Sequence, residues 1–178
     1  MYQKVLQFWF EEIRPDQWWT KDPLFDQLIK DTFSSLHVQA NRGELYAWRQ
    51  TPKGRLAEII VLDQFSRNMY RDSPQAFSSD SLALALCQEA VTQRADTALT
   101  RVECSFLYMP MMHSESLLIH EMALPLFKRR AVESSVDYEY QHKAIIEQFG
   151  RYPHRNAILG RESTADEIAF LKQPNSHF

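Results

Sequence analysis

Apolar residues recur along most of this chain at intervals of three and four, and the breaks in that rhythm fall where helix caps and breakers stand. Val5, Leu6, Phe8, Trp9 and Phe10 crowd into a short aromatic helix over 1–13, ended by Arg14-Pro15. Its apolar load predicts docking into the core. Asp22-Pro23 supplies an N-cap with proline at the first helical position, and Leu24, Phe25, Leu28, Ile29, Phe33 and Leu36 carry a second helix towards Gly43. Thr51-Pro52 opens a third, through Leu56, Ile59, Ile60, Leu62 and Phe65 to Tyr70.

Ser78-Ser79-Asp80 caps a helix whose face is Leu82, Leu86, Ala90 and Val91, reaching Arg94. Thr100 and Glu103 form a capping box for a helix ending near Pro110 to Met112. A helix from Ser114 or Glu115 is interrupted or ended by Pro125, and another runs from Val136 to Phe149 and stops at Gly150. A last one follows the box Thr164/Glu167. About seven to nine helices on short loops, without strand alternation, predict an all-α fold of antiparallel helix pairs.

Composition narrows the picture. The 178 residues fit one domain, 1–178, with no linker-like run, and only four glycines favour helices over turn-rich β structure. A net charge of -3 gives no global drive towards nucleic acid. No apolar run approaches the roughly 20 residues of a membrane span, and the acidic, aromatic start lacks a signal-peptide pattern, so a cytoplasmic protein is expected. Cys87 and Cys104 lie on apolar stretches without metal-type spacing and are expected as buried thiols.

Three polar motifs could carry chemistry. Asp63 and Arg67, and beside them Gln64 and Asn68, are four apart on the third helix; they would line a pocket, with Arg67 as an anion fork, or form an exposed ion pair. His113-Ser114-Glu115 sits at a helix junction, where His113 or Glu115 could be a general acid/base and Ser114 could cap the next helix. Asp63, His113, His120, Glu121, His142 and His154 match no zinc or di-iron template, so no metal is assigned, and with phosphate-loop and dinucleotide fingerprints absent no cofactor is assigned either. The third motif, Gly150 to Asn156, places Arg151, His154, Arg155 and Asn156 in an ordered loop after a helix stop, with Arg161 beyond. It reads equally as an anion site or as arginines bracing helix ends and the carboxylates Asp63, Glu115 or Glu162.

At Leu56 to Asn68 (with Asp63-Gln64-Phe65-Ser66-Arg67-Asn68), at Phe106 to Pro110 with His113-Ser114-Glu115, and at Phe149 to Asn156 through Leu159 to Thr164, the chain resembles a bacterial family, domain of unknown function number 924. The likeness runs from Val5 to Glu167 and implies a tetratricopeptide-like all-helical fold, with no activity, substrate or cofactor to carry over. Ser66 stands where the pattern has proline, and Tyr152 replaces a common phenylalanine. Taken as a set, the motifs predict one inter-helix cleft built from Asp63, Arg67, Asn68, His113, Glu115, His142, Arg151, His154, Arg155 and Asn156, joined by Arg161. The expected ligand is a small anion, with Asp63, His113, Glu115 and His154 as candidate acid/base groups. The rival is a peptide-binding helical module in which the same residues are internal braces.

Overall fold

A computed structural model describes residues 1–174 and 176, and among them helices are the regular structure, with no strand. Helix α1, Tyr2–Gln7, runs on into a π-helical turn, Phe8–Glu12, which turns Trp9 fully into the core. Trp9 packs edge-on against Phe65 and Phe106, each at 5.6 Å, and Trp18 donates its indole N–H to the Trp9 carbonyl at 2.9 Å. The aromatic N-terminus is therefore a core element, as its composition predicts.

Helix α2, Pro23–Asn41, starts where expected, with the Asp22 carboxylate accepting from the Leu24 and Phe25 amides at 2.9 and 3.4 Å. It buries Phe25, Ile29, Phe33, His37 and Ala40, a single stripe at helical spacing. Helix α3, Pro52–Ile60, is capped by Thr51 and begins against Trp48 so closely that a Cβ on Gly54 would lie 2.1 Å from the Trp48 carbonyl oxygen. Only glycine fits there. The third sequence helix is not continuous: α3 passes into a second π turn, Val61–Phe65, before α4, Ser66–Met69. The Ser66 hydroxyl donates to the Leu62 carbonyl at 2.5 Å and meets His37 of α2 at 2.7 Å.

Helix α5 is Asp80–Thr92, and α6, Arg101–Met112, carries the predicted Thr100/Glu103 capping box. Helix α7, Leu117–Arg130, passes through Pro125 instead of ending there, and its N-cap is Ser116, not Ser114. Helix α8, Glu133–Phe149, stops at left-handed Gly150, φ 69°, and α9 is Ala165–Phe170 behind the Thr164/Glu167 box. Short connections fold α6 on α7 and α7 on α8, while α3 packs on α5 and α6. Both cysteines are buried free thiols. No helix of the described residues is long and apolar enough to cross a membrane.

Candidate functional site

Asp63 lies on the second π turn, and its carboxylate is 1% exposed, so the exposed ion pair allowed by spacing is instead a buried one. Such turns are frequent at functional sites. Oδ1 meets His113 Nδ1 at 2.8 Å and Arg67 Nη1 at 3.1 Å, and Oδ2 accepts from Gln64 Nε2 at 2.6 Å. Burial alone would raise this carboxyl, but Arg67 and His113 more than offset it and hold it well below the usual range. Arg67 also forks onto both oxygens of Asp80, at 2.9 and 3.0 Å, tying the π turn to the start of α5.

The last carbonyls of a helix have no partner inside it. At the end of α6 three successive carbonyls are captured, two by the segment after α8 and one by α7. Tyr152 Oη donates to the Met112 carbonyl at 2.5 Å, Arg155 Nη2 to that of His113 at 3.0 Å, and His120 Nε2 meets that of Ser114 at 2.9 Å. Glu115 accepts from the Tyr152 amide at 2.8 Å and from both Nη atoms of Arg161, at 2.7 and 2.9 Å. The left-handed turn at Gly150 and a 3-10 turn over Pro153–Arg155 bring Tyr152 and Arg155 to α6. The backbone carrying His113 is thus pinned from both sides, and its ring is pinned by Asp63.

With Asp63 accepting from Nδ1–H, the neutral ring presents a lone pair at Nε2. Burial, and then the charge of Arg67, lower the His113 pKa despite the Asp63 carboxylate, so the ring is neutral at pH 7. His113 lines a cleft of about 350 Å³ together with Asp80, Glu115 and Arg155, the apolar Phe77, Leu84, Pro110 and Leu159, and the serines Ser78, Ser81 and Ser114. Arg155 is the unusual member. Its side chain is 8% exposed, stacked between the Phe77 and Tyr152 rings at 4.7 and 4.5 Å from their centroids, yet its nearest carboxylate, Asp80, is 3.6 Å away and its Nε has no hydrogen-bond partner.

The predicted set divides. Asp63, Arg67, His113, Glu115 and Arg155 come together, the first two directly behind the cleft. Arg161 braces Glu115, and Asn156 braces Arg161 by accepting from its Nε at 2.9 Å. His142 and His154 gather round Tyr152, ring centroids 5.6 and 5.5 Å away, instead of lining the cleft, with His142 6.5 Å from His113. Burial first, and then the neighbouring histidines, push His142 down to about 3. Two residues fall outside the set. Asn68 turns to α2 and donates to Asp26 at 2.8 Å, and Arg151 forks onto Glu167 at 2.6 and 2.8 Å.

Sequence reasoning missed Asp80 and Phe77. Asp80 reads as a helix-start residue, and only its position after a loop that returns the chain to Arg67 makes it a partner. The pair His120–Glu139, 2.8 Å apart and fully buried, was also missed as a support for the Ser114 carbonyl. Among the described residues no group of three or more His, Cys, Asp or Glu is placed to hold a metal ion.

An all-helical protein whose polar motifs from the α3–α4 turn, the α6 end and the post-α8 segment close on one cleft is the class that this geometry defines. The chain belongs to the DUF924 family of bacterial proteins of unknown function, whose model matches residues 5–175. It is similar to the solved structure of a protein of unknown function from Agrobacterium tumefaciens, with a TM-score of 0.91, 33% identity and 96% of each chain covered. No curated protein matches it significantly.

Proposed function

We propose that the cleft binds a small anionic molecule, anchored by Arg155, with the Asp63–His113 pair as its acid/base group. The observation that carries this reading is Arg155: a guanidinium 8% exposed, with an unpartnered Nε, beside the His113 ring. A buried cation whose nearest carboxylate lies beyond hydrogen-bond distance, as Asp80 does at 3.6 Å, costs stability unless something else compensates it. An anion in the cleft supplies that compensation, and the two flanking rings hold the fork rigid at little entropic cost. His113 Nε2, oriented by Asp63, is then the group able to accept a proton from the bound molecule or from a water beside it.

Bracing accounts for Arg151, Arg161, Asn156 and Asn68, each of which has close partners. Arg155→Met separates the two roles for the remaining arginine. Methionine keeps an apolar stem between the rings and removes the charge. If Arg155 is an anchor, the variant keeps its stability within about 1–2 kcal/mol, because the lost carbonyl bond is offset by the removed burial of charge. Stabilisation by anions in a thermal-shift panel should disappear in it. A loss of about 3–5 kcal/mol, with no anion stabilising the wild type, would mark Arg155 as a brace and end the proposal.

A further inference from the structure

Building on the anion-site reading above, we infer that the ligand is a monocarboxylate with a compact apolar body, taken up together with one proton that goes to Nε2 of His113. Charge balance comes first. The carboxylates around the cleft are Asp63, Asp80 and Glu115, and the guanidiniums are Arg67, Arg155 and Arg161, so with a neutral His113 the group sums to zero. Asp80 and Glu115 line the same cleft as Arg155. A phosphate dianion would meet both while gaining one cation, whereas a carboxylate presents one charge and two in-plane oxygens to a planar fork. Phe77, Leu84, Pro110 and Leu159 give the cleft apolar surface beside three serines and no further charged side chain, which suits a compact hydrocarbon body better than a second charged group.

The proton follows from the same balance. A bound monoanion takes the cluster to -1 unless a proton accompanies it, and His113 lines the cleft with Nδ1 held by Asp63, which leaves Nε2 as its proton acceptor. The groups around that ring are Asp63 and Arg67 from the α3–α4 turn, Asp80 from α5, His142 from α8, and Tyr152 and Arg155 from the segment after it. His142 is held neutral, with Nδ1 engaged at the Tyr138 carbonyl. Burial and Arg67 oppose protonation of the ring, and a carboxylate bound on Arg155 beside it adds a negative charge that favours it. A proton from solvent then bonds to Nε2 and donates to the ligand oxygen, with Nδ1–H remaining on Asp63.

The test is isothermal titration of the full chain with hexanoate, hexanol and inorganic phosphate at several pH values and in buffers of different ionisation enthalpy. Hexanoate should bind and hexanol should not. Between the free and bound pKa values of His113 the affinity should fall about tenfold per pH unit as pH rises, with close to one proton taken up per ligand. His113→Asn, whose amide can still donate to Asp63, should bind hexanoate without that pH dependence, and Arg155→Met should not bind it. Phosphate binding as tightly as hexanoate, or pH-independent hexanoate binding, would overturn the inference while leaving an Arg155-dependent anion site in place. Wild type and Arg155→Met alike in taking up neither anion would remove the anion site itself.

Discussion

Replacing Asp63 by asparagine tests whether the buried carboxylate organises this end of the molecule. The side chain accepts hydrogen bonds from His113 at 2.8 Å and Gln64 at 2.6 Å and pairs with the Arg67 guanidinium at 3.1 Å. Bonds to a charged acceptor contribute about 1.5–3 kcal/mol each and neutral ones about 0.5–1.5. Asparagine keeps the His113 bond as a neutral one, at a loss of about 1–1.5 kcal/mol, and sets its own amide against the Gln64 amide, losing about 1.5–3 there. Arg67 keeps Asp80, which limits the damage. The expected loss is about 3–4 kcal/mol at pH 7, or about 10 °C in Tm for a domain of this size. Urea unfolding and calorimetry across pH measure it. Because Asp63 is depressed in the folded state, its contribution is complete above the unfolded carboxyl pKa near 4 and is lost as pH falls below that. The gap between the two proteins should therefore narrow below about pH 4. A loss under about 1 kcal/mol at pH 7, or a gap that does not shrink in acid, would refute the role given to the π turn.

Tyr152→Phe removes the hydroxyl that caps the Met112 carbonyl at 2.5 Å in a fully buried site, and should cost about 1–2 kcal/mol in urea unfolding while leaving the anion uptake proposed for the cleft unchanged. Arg49→Met strands Glu58, whose side chain is 0% exposed and held at 2.7 and 2.8 Å, and should cost about 3–5 kcal/mol, whereas Lys21→Met, which breaks a surface pair with Asp72, should cost under about 1. Burial pushes the Cys87 thiol far up and Cys104 up to about 11, so neither should react with a disulfide reagent in the folded protein, and labelling should track unfolding.

Most of the helices are legible because caps and breakers are local. Asp22, Thr51, Thr100, Gly150 and Thr164 each do at the helix end what their type predicts. The π turns are not legible, because residues 1–13 and 51–70 carry the same apolar rhythm whether one residue is inserted into a turn or not. That insertion decides which side of the helix Asp63 occupies, so spacing left an exposed pair open where the fold makes a buried one. The cleft was half legible for a related reason: motif clustering picked out Asp63, Arg67, His113 and Arg155, but nothing local tells Arg155 from Arg151. One points into α6 and the other onto Glu167, and the difference is that Arg155 lies on the 3-10 turn Pro153–Arg155 whereas Arg151 precedes it. Asp80 and Phe77 were missed because their partners lie on other elements.

Among the arginines at this end of the molecule, depth and pairing run in opposite directions. Arg67, Arg161 and Arg151 have side chains 20%, 25% and 29% exposed, and each forks onto a carboxylate at hydrogen-bond distance. Arg155, at 8%, is the deepest and has only a carbonyl and a carboxylate at 3.6 Å. Desolvation grows with depth, so a bracing network would give its best partner to its deepest cation. This one gives it the poorest, keeps it stacked between two rings, and opens it towards the cleft that holds the His113 lone pair. Stability alone does not account for that placement, whereas the anion proposed for the cleft would.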